Sequence, residues 1–137
     1  MADLERFRRA QKRDFEIALS EIKSGRKRSH WMWYIFPQIA GLGMSSTAEY
    51  YAIRDIEEAR EFLDDEMLGG NIVEISEALL LNESSDPLYV MGYPDNLKLR
   101  SSMTLFDAAS DGKTDVFKKV IDKFYGGELD QLTLELI

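Results

Sequence analysis

The sequence predicts an all-α protein: a single compact domain of about seven or eight short helices spanning residues 1–137. Three observations predict it. Apolar residues recur at three- and four-residue spacing through most of the chain, and the aromatic run to Phe36 shows no clean two-residue alternation. Short residues with a side-chain oxygen stand ahead of many of these runs as N-caps, and glycines or prolines follow them as stops. With 45% hydrophobic and 31% charged residues, a chain of 137 residues can bury one core without disulfides or metals.

The elements follow in order. Leu4, Phe7, Ala10 and Gln11 fall at helical spacing behind an Asp3 cap. Phe15, Ala18, Leu19 and Ile22 continue the stripe behind Asp14, so residues 4–24 form one kinked helix or two, stopped by Gly25. The aromatic run to Phe36 reads as a short buried helix, with a strand as the alternative, and Pro37 ends it. A glycine loop at 41–43 precedes Ser45, Ser46 and Thr47, any of which can cap a helix holding Ala48, Tyr51 and Ala52. Ile56, Ala59, Phe62 and Leu63 follow an Asp55 cap, and Asp64-Asp65-Glu66 interrupts. The next apolar face runs to Asn82, with Gly69-Gly70 able to shorten it. Asp86-Pro87 is a strong start signal. Helices over 96–109 and 115–125 come next, the latter behind a Thr114 cap and stopped by Gly126-Gly127, and an apolar tail closes the chain as a helix or docked segment.

The net charge of −8 is unevenly spread. Residues 1–30 carry nine Lys/Arg against five Asp/Glu, and residues 31–97 carry two against thirteen. An acidic middle argues against nucleic acid and anionic membranes as partners while leaving room for a local anion site. The absence of cysteine and of an apolar leader, with Met1 to Arg6 running straight into charge, suits the cytoplasm. No apolar run is long enough to cross a bilayer. The carboxylates around Glu57, Glu58 and Glu61 read as a solvated face without a histidine, so no metal or cofactor is expected.

One run concentrates the chemistry. Residues 27–38, Lys-Arg-Ser-His-Trp-Met-Trp-Tyr-Ile-Phe-Pro-Gln, hold the single histidine and both tryptophans behind a basic lead-in. His30 is the candidate catalytic group, a proton carrier whose cationic neighbours favour its neutral form. Lys27 and Arg28, with Lys98 and Arg100 from a distant string, are candidates for holding a phosphate or carboxylate, assisted by Ser29 and Ser101. Trp31 and Trp33 offer stacking surfaces, and Gln38 an amide to read a polar edge. The plainer reading of each is structural: a packed histidine, cations neutralising a helix end, tryptophans in the core. The partner expected is therefore a small anionic or nucleotide-like ligand, and the alternative is a non-catalytic protein-interaction module. Oligomeric state is not legible in the sequence.

The strings Gly25–Gln38, Gly41-Leu42-Gly43-Met44-Ser45 and Asp95–Phe106 resemble an uncharacterised bacterial family of small all-α proteins whose members often carry the label calpastatin. The label itself does not suit this chain, since calpastatin is a disordered inhibitor and this composition is globular. The resemblance implies an all-α domain of unusual topology and brings no catalytic residues with it. A hydrolase or glycosidase acting on a nucleotide or an ADP-ribose-type substrate is the fold-level analogy that goes with it.

Overall fold

The computed structural model describes residues 3–137 and, among them, nine helices and no strand. Met1 and Ala2, which begin the charged N-terminus, lie outside the described residues.

Helix α1 (Glu5–Lys23) is one unbroken helix whose stripe of Phe7, Ala10, Phe15, Ala18, Leu19 and Ile22 is buried. Asp14 caps nothing, because its carboxylate is taken by the Tyr34 hydroxyl and the Arg13 guanidinium. The helix ends in a Schellman motif. Gly25, at φ 101°, donates to the Ile22 carbonyl at 3.0 Å, and Arg26 donates to the Glu21 carbonyl at 3.1 Å. That reversal turns residues 26–31 back along the end of α1.

The aromatic run forms α2 (Met32–Ile35). An isolated parallel bridge, Ile39 to Ile53, then closes the loop carrying α3 (Ser46–Tyr50), which Ser45 caps. Asp55 caps α4 (Ile56–Asp64) as its position predicts, and Asp65 caps α5 (Glu66–Leu81). Gly69 and Gly70 do not shorten α5. A Cβ at Gly69 would stand 2.0 Å from the Leu63 carbonyl oxygen, so glycine is what lets α5 pack against the end of α4.

Helix α6 (Pro87–Met91) starts on the Asp86 cap and leads to α7 (Asp95–Ser110), α8 (Val116–Tyr125) and α9 (Gln131–Leu136). Helix α7 is the axis of the molecule. It is buried along most of its length and packs against α4, α6, α8 and α9, while α5 packs against α1, α4 and α8. A chain of rings crosses the core from α1 to α8: Phe7 to Phe62 at 5.2 Å edge-on, Phe62 to Phe106 at 5.1 Å, Phe106 to Phe117 at 6.0 Å. The count exceeds the expected seven or eight because the aromatic run is helix α2 rather than a strand and the apolar tail is helix α9 rather than a docked segment. None of the helices among the described residues is long and apolar enough to cross a membrane.

Candidate ligand cleft

Residues 27–31 are shaped by a side chain that sequence reasoning passed over. The Glu21 carboxylate, in the last turns of α1, accepts hydrogen bonds from the backbone of Arg28 at 2.7 Å and of Ser29 at 2.9 Å, from the Ser29 hydroxyl, and from Trp31 Nε1 at 2.9 Å. Burial alone would raise its pKa. The Ser29, Arg28 and Trp31 donors overcome that and hold it at about 2. Trp31 is thereby fixed in the core, 1% exposed, and offers no face to a ligand.

Lys27 is nearly buried and thoroughly engaged. Its backbone donates to the Val90 carbonyl of α6, and its ammonium lies 2.9 Å from Asp95, donates to the Ser29 carbonyl and sits 4.9 Å from the Trp31 ring. Asp95 opens α7, where a carboxylate is favoured by the helix dipole. This pair ties the Gly25–Gln38 string to the Asp95–Phe106 string. Lys98, one turn further along α7, comes within 3.8 Å of the other Asp95 oxygen and lies 5.8 Å from the Trp33 ring.

Between the two strings lies a cleft of about 340 Å³, lined by Lys27, His30, Met32, Trp33, Met91, Tyr93, Pro94, Asp95 and Lys98. Met32 and Met91 are buried at its floor, and Tyr93 is exposed at its edge. His30 is exposed, and among the described residues its imidazole has no hydrogen-bond partner. The cleft thus unites four of the residues singled out in the sequence, Lys27, His30, Trp33 and Lys98.

The remaining candidates lie elsewhere. Arg28 is exposed, and the Ser29 hydroxyl is spent on Glu21. Gln38 lines a narrow crevice of about 20 Å³ that shares Trp33, Met32 and Lys98 with the cleft. Arg100 and Ser101 do not line the cleft. Arg100 reaches Glu128 at 3.3 Å, Asp130 at 3.9 Å and the Tyr125 ring, while Ser101 donates to Asp130 at 3.0 Å. Helical geometry is the reason: residues two apart on one helix project to opposite sides, so Lys98 and Arg100 cannot serve one hollow.

A family model described as a protein of unknown function, DUF1810, matches residues 1–137. The chain belongs to the DUF1810 family. It is also similar to a solved structure, the conserved hypothetical protein Rv1873 from Mycobacterium tuberculosis. The two are 40% identical, with a TM-score of 0.95 over 98% of this chain and 96% of that one. Among curated proteins, none matches the chain significantly.

In this DUF1810 member, the cleft residues that sequence reasoning missed are Met32, Met91, Tyr93, Pro94 and Asp95. Asp95 was in principle recoverable, because it opens the Asp95–Phe106 string, three residues before the candidate Lys98, as a carboxylate at helical spacing from a lysine. The methionines and Tyr93 carried no such signal. No group of three or more His, Asp or Glu side chains among the described residues is arranged to hold a metal ion.

Proposed function

We propose that residues 1–137 form a single helical domain that binds a small, ring-bearing anion of nucleotide-like type in the cleft between residues 27–33 and 91–98. One observation carries this reading: Lys98 and the Trp33 face stand together in a hollow of about 340 Å³ beside an imidazole with no hydrogen-bond partner among the described residues. That volume lies at the lower end of small-molecule sites, roughly 300–1,000 Å³, and its few convergent polar groups over an apolar floor are what such sites share.

The charges select the ligand. Lys27 and Lys98 face the single carboxylate of Asp95, which leaves one net positive charge. A monoanion balances it. A polyphosphate would leave unpaired negative charge in a partly desolvated site. Trp33 and Tyr93 supply stacking faces, Lys98 the anion contact, and the free Asp95 lone pairs an acceptor for a ligand hydroxyl.

If the ligand is turned over, His30 is the group that moves the proton. Imidazole is the one side chain in the cleft whose ordinary range lies near neutral pH. Hydrolysis or glycosidic cleavage is the reaction class that fits a proton carrier beside a carboxylate. A purely protein-binding role is the alternative, but it gives no reason for a hollow between the two strings. A cysteine-free chain of this kind belongs in the reducing cytoplasm.

A thermal-shift series tests the reading. A cyclic nucleotide, which carries one negative charge, should raise the melting temperature more than ADP-ribose or ATP at equal concentration, and Lys98→Met should abolish the rise. No shift with any of the three, or a series led by ATP, would reject it.

A further inference from the structure

A second hollow, of about 230 Å³, lies on residues the cleft does not use. It is enclosed by the end of α4 (Arg60, Leu63, Asp64), the start of α5 (Gly69, Val73) and the turn from α7 to α8 (Ala109 to Thr114). Gly69, held close to the Leu63 carbonyl, lines it together with Val73 and Ala109, small side chains where a larger one would fill the space. Leu63, Val73 and Ala109 give it an apolar floor.

The rim is charged in both senses and is not self-neutralised. Among the described residues, the Asp64 and Asp111 carboxylates form no ion pair and the Lys113 ammonium forms none, whereas Arg60 is held by Glu57 at 2.7 Å. Helices α4 and α7 end here with no basic residue in either last turn, while α5 begins here, so the backbone too presents partial charges of both signs. The unpaired Asp64 and Asp111 carboxylates therefore favour an ammonium group, and the unpaired Lys113 ammonium, in the same turn as Asp111, favours a carboxylate. The apolar side chain borne by the carbon that carries both charges meets Leu63, Val73 and Ala109.

We propose that this hollow binds a free aliphatic α-amino acid, of which L-leucine is the probe. The volume is below that of drug-sized sites, roughly 300–1,000 Å³, and suits a ligand of amino-acid size. Apolar burial and two opposite charges at one end are the features such a zwitterion offers. The site shares no residue with the Trp33 cleft, so either reading can fail alone.

The test is an amide-resolved NMR titration of the full chain with L-leucine, N-acetyl-L-leucine and L-leucinamide. The expected result is saturable perturbation confined to Gly69, Ser110, Thr114 and their neighbours. It should be at least tenfold weaker with the acetylated compound, which lacks the ammonium, and with the amide, which lacks the carboxylate. Lys113→Met, an exposed change that spares the fold, should weaken L-leucine binding, and Val73→Phe should eliminate it by filling the space. Absence of saturable shifts with L-leucine, equal binding of the blocked compounds, or shifts confined to other parts of the chain would overturn the proposal.

Discussion

Glu21 is the residue on which the first string depends. Four donors converge on one carboxylate, and the Trp31 indole among them is buried. Three of the donors meet one oxygen, Oε1, so Glu21→Gln keeps those contacts as neutral ones with its amide oxygen and turns its amide nitrogen toward the Ser29 hydroxyl; we expect a loss of about 1–2 kcal/mol from the missing charge, measured by urea unfolding. The same group sets a pH signature. Its folded pKa, about 2, lies below the ordinary value for glutamate, so its contribution is complete above roughly pH 4.3 and is lost as pH falls toward 2. The stability gap between wild type and Glu21→Gln should therefore narrow over that window. A gap that stays constant from pH 5 to pH 2 would contradict the assignment. The importance of Glu21 was not legible in the sequence, because it arises only after Gly25 turns the chain back on α1. The clustering of cations and rings at 27–33 was legible. Which of them face solvent was not, since Trp31 and Trp33 are two apart and take opposite environments.

Helix ends were the most readable elements. Asp55, Asp86 and Ser45 cap where their positions predict, since each side-chain oxygen meets a backbone donor that a helix start leaves free. Continuity was less readable: Asp14 imitates a cap inside α1, and Gly69-Gly70 imitates a stop inside α5. The two glycines make a paired prediction. Gly69→Ala must push Cβ into the Leu63 carbonyl and should destabilise by at least about 2 kcal/mol. Gly70→Ala meets nothing within 4 Å on an exposed helical turn and should stabilise by about 0.5–1 kcal/mol. Thermal unfolding of both variants checks it, and equal signs would refute the packing described for α4 and α5. At the other end of α5, the Lys123 ammonium donates to the Leu79 and Leu80 carbonyls at 3.0 Å and to that of Asn82. Burial pushes its pKa down, and these carbonyls offset the cost of holding the charge there. Lys123→Met should leave the last carbonyls of α5 without this donor and lower stability by about 1–3 kcal/mol, with faster amide exchange localised at residues 79–82.

Across the molecule, long-range order rests on a few polar ties over the ring-lined core. Arg6 is one. It donates to the Tyr50 carbonyl at 2.8 Å and the Ala52 carbonyl at 2.9 Å, and meets the buried Glu58 carboxylate at 3.3 Å, so α1, the bridged loop and α4 share one guanidinium. Arg6→Met leaves Glu58 buried without its counter-charge, and a loss of about 3 kcal/mol is expected in chemical unfolding. The all-α class was legible because helical spacing is written locally. The pairing of α7 with four other helices was not, and neither was the cleft, which exists only where the start of α7 meets residues 27–33. The central claim is that this meeting makes a ligand site with Trp33 on its wall. Tryptophan emission tests it most directly, because Trp31 is sealed on Glu21 and Trp33 is only partly buried. Titration with 3′,5′-cyclic AMP should give a saturable emission change that is absent in Trp33→Phe and at least tenfold weaker in Lys98→Met. No saturable change in the wild type, or one that survives in Trp33→Phe, would contradict the account.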